Sequence, residues 1–275
     1  MVGNFTRVIF LILPIILFSS CDRPFAYSPF EATIPDSWRD ATRRNLEMLA
    51  AADTIGDANF KVAFISDNHY HYNDLAEALD HINRRDDISF IVVTGDFTEN
   101  GLQKEFELFY KIMRKSTVPY LTVIGNHDYL SNGGLLYAQM FGPYNYTFTF
   151  GGVKFIAFDN VIWEDPKEAD YKWLEAALEG TTEEEGRSDY RHKIVMSHIP
   201  PVDKQLVEKR DFFDSLMAAH GVQFSIHGHK HEYWSSPFLK NGITYTTIGS
   251  PSKGSYAVLT VTPDSLTMSK VDFRK

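Results

Sequence analysis

Five short polar segments hold the side chains that could do chemistry in this chain. They are Asp67-Asn68-His69, Gly95-Asp96, Gly125-Asn126-His127-Asp128, Ser197-His198 and Gly228-His229-Lys230-His231. A site that holds two metal ions needs oxygen donors, imidazole nitrogens and a carboxylate able to bridge the ions. The segments together supply all three kinds of group, and they therefore predict a hydrolytic site with two metals.

Strand-forming sequence precedes each of these segments. The runs are rich in apolar, β-branched and aromatic residues, and they cover Lys61–Ser66, Ser89–Thr94, Tyr120–Ile124, Lys193–Met196 and, more weakly, Gln223–His227. Such runs are typical of buried strands. In open α/β sheets, ligands bind beyond the carboxyl ends of strands, which agrees with the positions of the polar segments.

Local spacing indicates which side chains can share an ion. In an extended segment, Asp67 and His69 point to the same side, so both can reach one ion. Asp96 ends its strand, and Gly95 lets the backbone turn tightly behind it. The segment Gly228-His229-Lys230-His231 repeats the two-residue spacing, but its two imidazoles need not share an ion.

Helical sequence alternates with these strands over much of the chain. Apolar stripes predict one helix through Leu75–Ile82 and another through Leu102–Met113. Two more helices are predicted over Lys167–Leu178 and Arg210–Ala219. Continuous apolar strands separated by helices indicate a buried, largely parallel sheet.

Other strands are predicted without intervening helices. Tyr146–Phe150 and Lys154–Phe158 form a predicted pair in mid-chain. Four strands near the end of the chain suggest a second sheet, mixed or antiparallel. They are Tyr233–Pro237, Ile243–Ile248, Tyr256–Val261 and Ser265–Val271.

The composition suits one sizeable globular domain, which we expect to cover residues 59–275. Of the 275 residues, 44% are hydrophobic, which is enough for a complete core. The formal net charge is −9 and the sequence has no basic stripe, so we expect no nucleic-acid partner.

Residues 1–20 have the character of a signal peptide. Arg7 precedes an apolar stretch, Val8–Phe18, which is too short to span a bilayer. The segment Leu17-Phe18-Ser19-Ser20-Cys21 resembles a bacterial lipoprotein signal, in which cleavage precedes a cysteine that is then lipidated. We therefore expect an exported lipoprotein in the periplasm or at the cell surface, anchored to the membrane through Cys21. An ordinary cleaved signal and an uncleaved anchor are the alternatives.

Residues 21–58 are expected to connect this signal to the globular domain. They would comprise a lipidated N-terminus, a proline-containing tether to about Asp36 and a short helix from Trp38 to about Ala51. Ser37 is the expected cap of that helix.

The order of the polar motifs resembles that of the calcineurin-like metallophosphoesterase superfamily. The motif string of this superfamily runs D-x-H, GD, GNH[DE], H and GHxH, and every motif occurs here in that order between about Asn59 and Phe273. GNHD together with GHxH is highly specific, whereas D-x-H or GD alone would be weak. The resemblance implies an α/β fold, a two-sheet sandwich flanked by helices.

The resemblance also implies two bound metal ions, bridged by Asp96. The first ion would be bound by Asp67, His69, Asp96 and His231, and the second by Asp96, Asn126, His198 and His229. These oxygen and nitrogen donors admit divalent or trivalent ions of Mn, Fe, Zn, Mg or Co.

Two more residues have implied roles in catalysis. His127 resembles the non-ligand histidine of the family, which stabilises charge on the phosphoryl group and protonates the leaving oxygen. Glu99 stands where purple acid phosphatases have an iron-binding tyrosine, so a coloured iron–tyrosinate site is not expected. Glu99 either orients His127, as an acidic residue does in the Ser/Thr phosphatase branch, or is a solvated loop carboxylate.

The implied activity is hydrolysis of a phosphoric ester. Gly95–Gly101 and His227–His231 look most like the bacterial cyclic-nucleotide and glycerophosphodiester branch, which favours a phosphodiester attacked by a hydroxide that bridges the metals. The substrate would be a small molecule or a phosphoester of the cell envelope. An exported phosphomonoesterase is the alternative. A non-catalytic phosphoesterase-like scaffold is disfavoured, because none of the expected ligands is missing from the sequence.

Overall fold

The computed structural model describes residues 28, 31–53, 59–165, 167–180 and 190–274. In chain order, the strands of this part are β1 (Phe60–Ile65), β2 (Phe90–Val93), β3 (Tyr120–Thr122), β4 (Tyr146–Phe150), β5 (Val153–Ala157), β6 (His192–Met196), β7 (Phe224–His227), β8 (Trp234–Ser236), β9 (Thr244–Thr247), β10 (Ser255–Val261) and β11 (Leu266–Asp272). The α-helices are α1 (Ala41–Ala52), α2 (Tyr72–Asn83), α3 (Gln103–Met113), α4 (Asn126–Tyr129), α5 (Gly133–Met140), α6 (Tyr171–Glu179) and α7 (Arg210–Ala219).

One sheet has the strand order β11-β10-β1-β2-β3. β1, β2 and β3 are parallel. On the other side of β1, β10 pairs antiparallel with β1, and β11 pairs antiparallel with β10. Parallel neighbours need a crossover connection, and α2 and α3 provide it. The carboxyl ends of β1, β2 and β3 therefore lie at the same edge of the sheet.

The other sheet has the strand order β4-β5-β6-β7-β9-β8. Its four central strands are parallel, and β4 and β8 pair antiparallel at the two edges. α6 connects β5 to β6, and α7 connects β6 to β7. The carboxyl ends of β6 and β7 are thus neighbours, like those of the first three strands.

A shared hydrophobic core joins the two sheets. Phe64 and Phe90 of the first sheet pack there with Phe155 and Ile194 of the second, and all four are fully buried. Ile65, on the opposite face of β1, belongs instead to the cluster beneath the helices. Because both faces of each sheet are covered, the central strands are continuous apolar runs rather than alternating ones.

Two mixed sheets flanked by helices form an α/β sandwich, which confirms the predicted fold class. Several predicted elements are reproduced closely. β4 and α7 have the predicted bounds, Tyr146–Phe150 and Arg210–Ala219. β3 is shorter than predicted, since it ends at Thr122 rather than Ile124.

The predicted membership of the last strands was wrong in one respect. β8 and β9 belong to the second sheet, but β10 and β11 complete the first sheet, where β10 pairs antiparallel with β1. An antiparallel neighbour needs no crossover helix, so the lack of helices between these strands could not distinguish one sheet from the other.

The N-terminal helix also begins later than predicted. A 3₁₀ helix occupies Asp36–Trp38, and Asp40 has a left-handed backbone with φ of 53°, so α1 starts only after it and Ser37 is not its cap. α1 packs onto the sandwich: Leu49 is buried in the shared core, and Asn45 Oδ1 accepts the backbone N–H of Tyr120 at 3.1 Å.

α6 likewise starts at Tyr171 rather than at Lys167. The side chain of Asp170 accepts the backbone N–H of Trp173 at 3.0 Å and caps the helix there. An N-terminal cap of this kind fixes where the helical hydrogen bonding begins.

The predicted signal peptide, residues 1–20, and the predicted lipidated residue Cys21 lie outside the described residues. Within the part of the chain that the structure describes, no helix is long and apolar enough to cross a membrane. The domain boundary at residue 59 stays a prediction.

Candidate metal centre

The polar segments that follow β1, β2, β3, β6 and β7 converge where the two sheets meet. Contacts between the sheets show this directly. His198, which follows β6, donates from Nδ1 to the carbonyl of Thr94 at the end of β2, at 2.7 Å. The backbone N–H of His229, which follows β7, donates to Asp67 Oδ1 at 2.9 Å. One site is therefore built from strands of both sheets.

One cluster of potential ligands comprises Asp67, His69 and His231. The Nε2 atoms of His69 and His231 are 3.2 Å apart, and His231 Nε2 is 3.6 Å from Asp67 Oδ1. Asp96 Oδ2 is 3.7 Å from His69 Nε2. These are the four residues expected at the first metal, and the structure brings their donor atoms together.

A second cluster surrounds the other side of Asp96. Asp96 Oδ2 is 3.1 Å from His198 Nε2. Asn126 Oδ1 lies 3.2 Å from His198 Nε2 and 3.1 Å from His229 Nδ1. The structure thus gathers the four residues expected at the second metal, with the Asp96 carboxylate between the two clusters.

The backbone is left-handed at five of the expected ligands, and this conformation directs their side chains toward the centre. Residues with positive φ include Asp67 (54°), His69 (46°), Asp96 (53°), His229 (70°) and His231 (56°). This conformation costs roughly 1–3 kcal/mol at a non-glycine residue and concentrates at functional sites. Asp67 and His69 therefore reach one cluster through left-handed turns, and the expected extended segment was wrong.

Two glycines permit close approach of the strands at the centre. Gly95 has φ of 94°, and a Cβ there would lie 2.4 Å from His198 Nδ1. A Cβ at Gly125 would lie 2.2 Å from Asp96 Oδ1. Neither position has room for a side chain, so the GD and GN motifs need glycine for packing as well as for turning.

Asp128 organises the backbone beneath the ligands. Its carboxylate accepts the N–H groups of Asp96, Gly125 and Thr98, each at 2.9 Å, and the Thr98 hydroxyl at 2.8 Å. Asp128 is fully buried and holds the loops after β2 and β3 together. It is a loop-stabilising acceptor, not a member of either ligand cluster.

His127 lies beside the centre and has a fixed orientation. Its backbone N–H donates to Asp96 Oδ1 at 2.9 Å, and its Nδ1 donates to the main-chain carbonyl of Glu99 at 2.7 Å. Burial lowers the pKa of His127, but Asp96 and the bond to Glu99 outweigh burial, so the pKa is raised above its ordinary value. The ring is therefore set to offer a proton from Nε2.

Glu99 differs in detail from the expectation. It does orient His127, but through its main-chain carbonyl rather than its carboxylate. The Glu99 carboxylate lies 2.9 Å from His69 Nδ1, without the alignment of a good hydrogen bond. If His69 carries its proton on Nδ1, beside this carboxylate, its Nε2 lone pair is left for a metal, as at many metal sites with outer carboxylates.

Sequence reasoning missed two acidic residues on loops that border the second cluster. Asn126 Nδ2 donates to Glu164 Oε1 at 3.3 Å, which turns Asn126 Oδ1 toward the cluster. Asp203 Oδ2 lies 3.3 Å from His229 Nε2. Neither residue belongs to a recognisable motif. Their nearness to the centre depends on how the loops after β5 and β6 fold back.

The electrostatics of the centre fit two metal cations. Burial lowers the pKa of both His69 and His229 to about 4, so these imidazoles are neutral and have free lone pairs. Burial also lowers the pKa of His198, but Asp96 and Asp67 outweigh it and raise the pKa to about 10. The raised pKa favours a protonated, positively charged His198, whose charge compensates the buried carboxylates. Bound metal cations would supply that positive charge instead.

Comparison with known proteins identifies the family. Residues 60–233 match the family model described as calcineurin-like phosphoesterase. The match covers more than half of the chain, so the chain belongs to this family of metal-dependent phosphoesterases. No match was found among curated proteins.

Solved structures of low sequence identity share the fold. Purple acid phosphatase PPD1 from yellow lupin (Lupinus luteus) seeds is 16% identical with a TM-score of 0.63, over 80% of this chain and 52% of that one. This chain thus spans about half the length of the lupin protein. GAP50 of Plasmodium is 15% identical with a TM-score of 0.60, over 79% and 86% of the two chains. PhoD is 11% identical with a TM-score of 0.55, over 78% and 69%.

Proposed function

We propose that this protein is a phosphodiesterase with two catalytic metal ions. The observation that carries the proposal is the position of Asp96, whose Oδ2 lies 3.1 Å from His198 Nε2 and 3.7 Å from His69 Nε2. One carboxylate shared by two groups of oxygen and imidazole donors is the arrangement that a bridged pair of cations requires. Mn, Fe, Zn, Mg and Co all accept these donors.

Bound metals would lower the pKa of a water molecule, orient the phosphate and offset charge that builds up on the phosphoryl group. The chain itself would supply the proton for the leaving group. His127 has its Nδ1 tied to the Glu99 carbonyl and its main chain tied to Asp96, so Nε2 is its free proton donor. Protonation of the leaving oxygen is the ordinary task of such a histidine.

The cavity beside the centre supports a diester over a monoester. It has a volume of about 230 Å³, and it is lined by Asp67, His69, Tyr70, His71, Glu99, His127, His231, Ser250 and Ser252. None of the described residues that line it is a lysine or arginine. A monoester dianion carries one more negative charge than a diester. The Glu99 carboxylate would repel that extra charge, and besides the proposed metals and His127 no lysine or arginine of the described lining offsets it.

The experiment that tests this proposal compares two chromogenic substrates on the metal-loaded protein. We expect kcat/KM for bis(p-nitrophenyl) phosphate to exceed that for p-nitrophenyl phosphate by at least about tenfold, because one added like-charge contact near a surface exceeds about 1.4 kcal/mol. Faster turnover of the monoester would favour the exported phosphomonoesterase instead.

A non-catalytic scaffold is the second candidate, because one structural relative, GAP50, is described as the anchor in the inner membrane complex of Plasmodium. Against it stands the complete donor set of both clusters, since a scaffold has no need to keep neutral imidazoles beside buried carboxylates. Metal analysis separates the two. A purified protein that binds no metal and turns over neither substrate would support the scaffold.

The protein is also proposed to be an exported lipoprotein whose substrate is a small molecule or an envelope phosphoester. Support comes from the sequence of residues 1–21 alone. Stable anchoring needs more than one acyl chain, as bacterial lipoproteins carry. We expect membrane-extracted protein to begin at a lipidated Cys21, as measured by intact mass. Cys21→Ser should release the protein or leave an uncleaved precursor. A mature chain with unmodified Cys21 would show an ordinary secretory signal.

A further inference from the structure

We propose that Asp203 is a positioning residue for the second metal. It would hold the His229 ring so that Nδ1 faces Asp96 and Asn126. The inference rests on the proposed metal centre and concerns a residue outside every motif. Asp203 lies in the loop after β6, where its backbone N–H donates to the Pro200 carbonyl at 2.8 Å.

The His229 ring lies between two acceptors. Nε2 is 3.3 Å from Asp203 Oδ2, an ion-pair distance without hydrogen-bond alignment, and Nδ1 is 3.1 Å from Asn126 Oδ1. A neutral imidazole has only one N–H, so it can donate to one of these oxygens and not to both. The carboxylate is the stronger acceptor. We place the proton on Nε2, the nitrogen beside the negative charge of Asp203, and the Nδ1 lone pair then points toward Asn126.

Asn126 is fixed in the complementary orientation. Its Nδ2 donates to Glu164 Oε1 at 3.3 Å, so its Oδ1 is the atom that faces His229. An oxygen and a nitrogen lone pair then stand 3.1 Å apart, with His198 Nε2 3.2 Å from the same oxygen. The His229 lone pair and the Asn126 oxygen are both acceptors, so a cation between them would relieve their repulsion.

Asp203 is itself held firmly. It is 5% exposed, and its Oδ1 accepts the backbone N–H of Gln205 at 3.0 Å. The Lys230 ammonium donates to Oδ2 at 2.5 Å. Lys230 lies between the two histidines of the GHxH motif, so Asp203 fastens this motif to the loop after β6. Outer carboxylates of this kind orient ligand histidines at metal sites.

The test measures Mn²⁺ bound per chain while a chelator is titrated against the full protein. Wild-type protein should hold two ions. Asp203→Asn should hold the first ion normally and lose the second at about 10–100-fold higher free Mn²⁺, the usual effect of removing an outer partner. Electron paramagnetic resonance should then show isolated Mn²⁺ in place of a coupled pair. Asp203→Glu, which keeps the carboxylate, should recover part of the affinity.

Asp214→Asn is the matched control. Asp214 is also buried and accepts hydrogen bonds from Asn241 Nδ2 and the Tyr245 hydroxyl, both at 2.7 Å, but it contacts no ligand. This variant should keep two ions. If Asp203→Asn retains both ions at the wild-type chelator midpoint, Asp203 has no positioning role, whereas wild-type protein that binds no Mn²⁺ overturns the metal centre as well.

Nitrogen-15 NMR of the His229 ring keeps the inference testable if Asp203→Asn does not fold. In metal-free wild-type protein, the proton should be found on Nε2. A proton on Nδ1 would mean that Asn126 rather than Asp203 takes the hydrogen bond, and it would overturn the inference.

Discussion

Asp96→Ala is expected to abolish turnover and to remove at least one of the two metal ions. The Asp96 carboxylate lies between the two ligand clusters, with Oδ2 3.1 Å from His198 Nε2 and 3.7 Å from His69 Nε2. Its Oδ1 also accepts the His127 N–H at 2.9 Å. The variant therefore loses the bridge and leaves the partly buried His127 N–H without this acceptor. Metal per chain and initial rates on purified protein measure both effects.

Asp214→Ala controls for the loss of a buried carboxylate. Asp214 bonds Asn241 and Tyr245 away from the centre, so this variant should lose stability but keep its metals once folded. Two retained ions and a near-normal rate in Asp96→Ala would contradict the bridging role.

His127→Ala is expected to keep both metals but to slow turnover by roughly 10²–10⁴-fold, the usual range for a lost general acid. His127 is not one of the proposed ligands of either metal, and its Nδ1 is committed to the Glu99 carbonyl. The loss should shrink for substrates with acidic leaving groups, because these need little protonation. The measurement is kcat for a series of aryl and alkyl phosphodiesters, with metal analysis of each protein.

The distribution of the loss across leaving groups decides the role of His127. A loss of equal size for nitrophenol and alkyl alcohol leaving groups would indicate electrostatic or positional help instead of proton donation. His220→Ala is a suitable control, since His220 follows α7 outside the centre and its removal should not affect turnover.

Much of the fold could be predicted from hydrophobic periodicity in the sequence. Buried parallel strands are apolar on both faces, so β1, β2 and β6 stood out as continuous runs, and each was predicted within one residue of its observed bounds. Helix starts were less reliable. α1 starts after the left-handed backbone of Asp40, and α6 starts where the Asp170 side chain caps it. Hydrophobic periodicity reports neither backbone angles nor caps.

The sequence by itself determined the set of potential donors, because residue types at strand ends are local information. GNHD and GHxH specify amide and imidazole donors whatever the surrounding structure, and glycine beside them reports the tight packing seen at Gly95 and Gly125. The order of the motifs was sufficient to identify the family that residues 60–233 match.

Only the tertiary structure decided how these donors meet. The sequence does not say that β6 and β7 belong to a different sheet from β1, and therefore that His198 reaches Asp96 across the junction of two sheets. It gives no sign that Asp203 would stand behind His229. Such contacts depend on packing between segments distant in the chain, whereas periodicity and motif spacing report only what neighbouring residues do.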